Sequence, residues 1–223
     1  MPVRSILKTT PWLAIVGLLI LGAVAVYFLD DVIRIAGPPD EPVAITQREI
    51  ACELIALIII ALLVPPMPDT DLRRSRARGL AVVKLLLGLV LCLCLAAFAA
   101  RLTTLDYLTE LRNLGAPTDT VPESELIIGN TAVVAALMGI LVPLCGRLLA
   151  FPCVLVVWVA SYAPPVFSWS MSTWPLDYLQ DEGPWMSPVH IAAAVILTCV
   201  AIAVQWMTAG MGSFALQAER VGN

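Results

Sequence analysis

Apolar residues occur along this chain in long runs that are separated by short polar segments. An α-helix needs about 20 mainly apolar residues to cross the hydrocarbon core of a bilayer. The runs have this length, which predicts an all-α integral membrane protein with six transmembrane helices in one domain. The predicted spans cover residues 11–29, 50–67, 79–102, 126–144, 151–167 and 189–212.

Spans four and five come from one apolar run, residues 126–169, in which Arg147 is the only charged residue. The run is roughly twice as long as a single span. Gly146 and Arg147 mark a tight turn, with Pro143 before it and Pro152 after it. The pattern therefore predicts two helices joined at this turn.

The polar segments are expected to be loops or surface elements. Residues 30–49 contain GPPDEP, whose prolines lack backbone donors, so a loop with only a short turn at residues 32–35 is predicted. In residues 103–125 leucine recurs at every third position, which indicates a short amphipathic helix on the membrane surface. These leucines are Leu105, Leu108, Leu111 and Leu114.

The composition also indicates a membrane protein. Of the 223 residues, 60% are apolar and 13% are charged, whereas soluble domains have about 45–50% and about 25%. The mean hydropathy is +0.90. The net charge of −4 argues against nucleic-acid binding, which basic domains carry out. The first run ends in Tyr-Phe-Leu without a small-residue cleavage motif, so a retained span is expected rather than a signal peptide.

Basic residues set the expected orientation, because cytoplasmic loops carry an excess of Lys and Arg. The densest group, here called the arginine cluster, consists of Arg73, Arg74, Arg76 and Arg78. With a cytoplasmic N-terminus, only four of the 13 basic residues fall outside, namely Arg34, Arg48, Arg101 and Arg112. Both termini are therefore predicted to be cytoplasmic. Lys84 and Arg101 are expected to snorkel from the ends of span three.

The arginine cluster has two open roles, and the short membrane-bound loop disfavours a third, nucleic-acid binding. It sets topology and touches anionic lipid, or it docks a cytoplasmic partner. Residues 69–80, DTDLRRSRARGL, favour a short helix capped by Asp69 or Thr70. A short cytoplasmic helix between spans two and three is typical of permeases that receive force from an ATPase.

A candidate intramembrane polar site consists of Glu53, Asn130 and Gln205. An ionisable group within a span is a functional hypothesis by default. Glu53 nevertheless lies close to Arg48 and Glu49, so a carboxylate that snorkels to the outer interface is the alternative. Asn130 and Gln205 also suit hydrogen bonds between helices.

Catalysis by this chain is not expected. His190 begins span six without companion residues at catalytic or metal-ligand spacing. There is no Gly-rich phosphate loop, and the serines of SWSMSTW have no paired base. The six cysteines all lie in apolar runs, which predicts reduced structural thiols and no metal or cofactor. An intramembrane enzyme that uses Glu53 or His190 stays as a further alternative.

Residues 168–188 combine aromatic side chains with acids and contain no Lys or Arg. Such a composition is typical of an outer-face segment at the headgroup level. The expected cap of the outer face consists of Trp169, Trp174 and Trp185.

The run GNTAVVAALMGILVPLCGRLLAFP, the later WPLDYLQDEGPW and the Ala-rich last span resemble small actinobacterial permeases that partner ATP-binding-cassette ATPases. Those proteins are type-2 exporter-like and have six spans. The resemblance covers about the last half of the chain. The matching residues are Asn130, Gly146, Arg147, Pro152, Trp174, Pro175 and Leu176.

The resemblance implies a permease subunit in the bacterial plasma membrane that works with a cytoplasmic ATPase subunit and a second permease copy. The loop of residues 68–78 would be the coupling element, and lipid would surround the spans. The substrate would be amphipathic, such as a peptide or lipid-like compound, because the spans offer few polar groups. The alternative is an accessory or assembly subunit of a larger membrane complex with no pathway of its own.

Overall fold

The computed structural model describes residues 11–29, 32–35, 43–64, 74–114, 126–161 and 188–208. Within these ranges the chain forms six α-helices and one two-stranded sheet. In chain order the elements are α1 (Trp12–Phe28), β1 (Val32–Ile35), β2 (Val43–Thr46), α2 (Gln47–Leu63), α3 (Arg74–Leu114), α4 (Leu126–Cys145), α5 (Arg147–Ser161) and α6 (Pro188–Thr208).

Helix α4 is the centre of the bundle, since it packs against α2, α3, α5 and α6. Most of its side chains are buried. Gly139 allows a close approach here: a Cβ atom at this position would lie 2.7 Å from Leu85 Cδ1 on α3 and 3.5 Å from Ala201 Cβ on α6.

Helices α1, α2 and α3 run alternately in opposite directions. At the start of α2, Arg48 hydrogen-bonds the carbonyl of Val26 near the end of α1 and pairs with Asp106 late in α3. At the other end of α2, Ile60 lies against Gly88 in the first half of α3. Helices α1 and α3 are therefore both antiparallel to α2.

Helices α4 and α5 form a helical hairpin, as the predicted turn requires. Asn130 near the start of α4 bonds Glu49 on α2, and Trp158 near the end of α5 bonds Glu53 one turn further along α2. Helix α5 must therefore double back beside α4. Only Gly146 separates the two helices, and its φ of +79° is a left-handed conformation that glycine adopts without strain.

Three helices of the described chain are long and apolar enough to cross a membrane. The qualifying stretches are Arg78–Asp106, Leu126–Cys145 and Ile191–Thr208. Two shorter apolar helices are Trp12–Phe28 and Arg147–Ala160. Length and composition thus support a mainly helical membrane protein.

The prediction of an irregular loop between the first two spans was wrong. Strands β1 and β2 pair in antiparallel register, with Val32 opposite Thr46 and Ile35 opposite Val43. Both strands are rich in Val, Ile and Thr, residues that favour extended backbone. The prolines between them exclude a helix but not a hairpin.

Helix α3 is one element of 41 residues where three shorter ones were predicted. The separate docking helix and the separate surface helix were both wrong, because Arg74 and Leu114 are the two ends of the same helix. No proline interrupts this range, so nothing in the local sequence forces a break. Lys84 is only 1% exposed and so does not snorkel outward as expected.

Candidate functional site

A group of polar side chains is gathered at one end of the bundle. This polar cluster consists of Arg48, Glu49, Glu53, Asp106, Asn130 and Trp158. Helix α2 supplies its first three members. Glu49 and Glu53 are four residues apart, which places them on one face of α2. They are 6% and 0% exposed, so both carboxyl groups lie inside the protein.

Asn130 joins α4 to the polar cluster. Its Nδ2 donates a hydrogen bond of 2.6 Å to Oε1 of Glu49, and its side chain is fully buried. A hydrogen bond to a carboxyl group between two buried helices fixes how they sit against each other. Among the described residues, no donor reaches Oδ1 of Asn130.

Trp158 joins α5 to the polar cluster. Its indole Nε1 donates a short hydrogen bond to Oε2 of Glu53. The indole is half-buried, so it covers the carboxyl group while its polar edge contacts it. Indole nitrogen is a donor only, which makes it suited to a carboxyl oxygen.

Arg48 closes the same end of the bundle. Its Nε donates to the carbonyl of Val26 at 2.9 Å, one of the last carbonyls of α1 that have no partner within their own helix. Its Nη2 lies 2.6 Å from Oδ2 of Asp106, and Nη1 lies 3.5 Å from Oγ1 of Thr103. Arg48 is 5% exposed, whereas the side chain of Asp106 is 58% exposed. The buried guanidinium of Arg48 thus links α1, α2 and α3 at the end of the bundle where Asp106 is exposed.

The candidate residue Gln205 lies apart from this cluster. Its Nε2 donates to the carbonyl of Gly139 at 2.8 Å, nine residues along α4 from Asn130. That separation is about 13 Å along the helix axis. Gln205 therefore forms a hydrogen bond between α4 and α6, and the three candidate residues do not form one site. At the end of the bundle opposite the polar cluster, Lys84 is near Arg147.

The structure brings together two of the three candidates, since Asn130 bonds Glu49, which lies one turn from Glu53 on α2. Glu53 is turned into the protein rather than toward an interface. The arginine cluster is placed in part: Arg74, Arg76 and Arg78 belong to the start of α3, and His190 to the start of α6. Residues outside the described ranges are Arg73, Trp169, Trp174 and Trp185.

Four members of the polar cluster were not recognised as site residues in the sequence: Arg48, Glu49, Asp106 and Trp158. The spacing of Glu49 and Glu53 was the available signal, because acids four residues apart at a helix start share a face. It was missed because residues 30–49 were taken as a loop. The pairing of Trp158 with Glu53 depends on the α4–α5 turn and has no local signal.

In the part of the chain that the structure describes, no three His, Cys, Asp or Glu side chains lie close enough together to hold a metal ion. All six cysteines are free thiols, as expected. Cys52 and Cys92 are buried in the bundle, while Cys94, Cys153 and Cys199 are exposed on helix surfaces.

No protein-family model, curated protein sequence or solved structure matches this chain.

Proposed function

We propose that this protein is a non-catalytic permease subunit of an ATP-driven export system in the bacterial plasma membrane. All six helices cross the bilayer, with both termini cytoplasmic. The subunit works with a separate cytoplasmic ATPase and a second permease copy. Its substrate is amphipathic, a peptide or a lipid-like compound.

The observation that carries this proposal is the continuity of α3. This helix is about 60 Å long at 1.5 Å per residue. It has Arg74, Arg76 and Arg78 at its first turns and the contact between Asp106 and Arg48 near its other end. A partner that binds the arginines would therefore displace α3 as a whole. Because α3 contacts Arg48 on α2, and Arg48 bonds α1, the displacement would reach both of these helices.

The interior chemistry supports an amphipathic substrate rather than an inorganic ion. Apart from the polar cluster, the core consists mainly of Ile, Leu, Val and Ala side chains. The fully buried polar side chains that join α4 to its neighbours, Asn130 and Gln205, are held in hydrogen bonds. Such an interior offers apolar contact with few polar ligands, which suits a lipid-like chain.

The test is copurification followed by an ATPase assay. The tagged protein is isolated in mild detergent, bound ATPase is identified by mass spectrometry, and its turnover is measured in liposomes. Replacing Arg73, Arg74, Arg76 and Arg78 with alanine should remove the stimulation of ATP hydrolysis, because the docking contacts are lost. The protein should remain in the membrane.

A matched control replaces Arg101 and Arg112, two arginines assigned to the opposite side, and should keep the stimulation. A second variant with four lysines at the cluster keeps the charge that sets topology. Normal coupling in the alanine variant, with correct insertion, would contradict docking through the arginine cluster. Failure of any ATPase to copurify would contradict the permease proposal as a whole.

The accessory-subunit alternative is favoured by one feature, the exposure of α6. Only 11% of its apolar stretch Ile191–Thr208 is buried within the chain. Large side chains such as Val195, Ile196 and Met207 lie on its surface, where lipid or another membrane chain packs. Copurification of other membrane chains, with no nucleotide dependence, would favour this alternative.

A further inference from the structure

Two carboxylic acids lie one helical turn apart inside the bundle. Glu49 and Glu53 share a face of α2 and are almost completely buried. Each accepts a hydrogen bond from a neutral donor, the amide of Asn130 and the indole of Trp158. A neutral N–H bonds an ionised carboxylate and also the carbonyl oxygen of a protonated carboxyl group. These contacts therefore suit both protonation states.

Asn130 gives an independent indication of a ligand. Its side chain is fully buried and its Nδ2 points at Glu49, yet no donor among the described residues reaches its Oδ1. A buried amide oxygen without a hydrogen bond costs free energy. A half-turn of the amide exchanges the nitrogen and the oxygen, and Oδ1 then accepts from an O–H group on Glu49. A proton on this carboxyl group thus gives Oδ1 a donor, while Nδ2 turns to the side that Oδ1 has left.

The ligand is a proton rather than a metal ion. Hard metal cations take about six or more oxygen ligands. In the described part of the chain, no three acids or other metal ligands converge. Two N–H donors point at the carboxyl oxygens, where a cation would need to sit. A proton needs only one of those oxygens.

The polar cluster also has a connection to the solution. Arg48 directly precedes Glu49 on α2 and pairs with Asp106, whose side chain is 58% exposed. Other titratable groups described near this end are Cys52 on α2, Cys92 and the exposed Arg101 on α3, and the exposed Tyr27 on α1. Protons therefore reach the acids from the Asp106 end of the bundle, away from the arginine cluster.

We propose that Glu49 and Glu53 form a reversible proton-binding site that exchanges with the solution at the Asp106 end. A proton passes from hydronium to a carboxylate oxygen of Glu49, so that an O–H bond forms and water is released. Asn130 turns its Oδ1 to accept this O–H, and Trp158 keeps its bond to Glu53. The proposal goes beyond the permease function and holds for the chain with or without an ATPase.

The test is infrared difference spectroscopy of the full chain in lipid nanodiscs during a pH titration. A carbonyl band of a buried protonated carboxyl group should appear as pH falls and should shift in D2O. Glu49→Gln and Glu53→Gln should each remove or displace this band. The matched control, Glu219→Gln near the C-terminus, should leave it unchanged. Circular dichroism and gel filtration check that each variant is folded.

Trp158→Phe keeps both acids and serves where a glutamine variant does not fold. Loss of the indole donor should change the frequency of the band, because that frequency depends on hydrogen bonding to the carboxyl group. A band that keeps its intensity and position in all three variants would overturn the proposal. Disappearance of the band on adding Na⁺ at constant low pH would also overturn it and would indicate a metal-cation site.

Discussion

Arg48 shows how much one buried side chain can hold together. Its guanidinium bonds the end of α1, contacts α3 and lies on α2. The two members of its ion pair are in different surroundings, since Asp106 is largely exposed and Arg48 is not. Removing Asp106 therefore leaves a buried charge, whereas removing Arg48 leaves a carboxylate that water can solvate.

We expect Asp106→Asn to lower the free energy of unfolding by roughly 1–3 kcal/mol, because a buried group loses a charged partner. In a chain that already carries Arg48→Met, the buried charge is gone, so Asp106→Asn should cost less than it does alone and the double variant should be less destabilised than the sum of the single ones. Denaturant unfolding in detergent measures all three. Thr109→Ala, an exposed position on the same helix, is the control. Strict additivity would contradict coupling between Arg48 and Asp106.

The turn at Gly146 gives a second prediction at this scale. Its φ of +79° costs an L-residue roughly 1–2 kcal/mol, so Gly146→Ala should lower the melting temperature. Gly17→Ala is the matched control, because neither glycine has an atom within 4 Å of an added Cβ and Gly17 is helical. Equal effects of the two substitutions would show that backbone conformation at the turn is unimportant.

The extent of a helix could be predicted from the sequence where the local pattern of apolar residues determines it. Span four was expected at residues 126–144, and α4 covers Leu126–Cys145, because the apolar run fixes where the helix starts and the turn at Gly146 and Arg147 fixes where it ends. The β1–β2 hairpin and the length of α3 were missed, since polar segments between apolar runs have no comparable pattern. Glu53 and Asn130 were recognised as isolated polar residues. Their partners Trp158 and Glu49 depend on how the helices pack.

The close helix packing at Gly139 leads to a further prediction. An added Cβ would come within 2.7 Å of Leu85 on α3. Gly139→Leu should therefore separate α3, α4 and α6 and lower stability by roughly 1–3 kcal/mol or more. Gly17→Leu, where the added atoms meet open space, should be nearly neutral. Thermal unfolding in detergent compares them, and similar losses would contradict close packing at Gly139.

For the whole molecule, the alternation of α1, α2 and α3 makes topology testable. If α2 crosses the bilayer, reporters fused at residues 40 and 70 must report opposite sides. We expect residue 40 outside, residue 70 in the cytoplasm and residue 116 outside. A fluorescent protein that folds only in the cytoplasm, together with a phosphatase active only outside, makes the assignment. The same side for residues 40 and 70 would show that α2 does not cross, which contradicts the six-span proposal.

The one-residue link at Gly146 also bears on how the protein is made. Between most helices a polar segment can remain in solution while the ribosome is still synthesising the next helix. Between α4 and α5 there is no such segment, because the first helix ends at Cys145 and the next begins at Arg147. If both helices cross the bilayer, as the six-span proposal requires, they must therefore enter it together as a hairpin. A nascent chain that stops shortly after Gly146 would hold α4 without its partner.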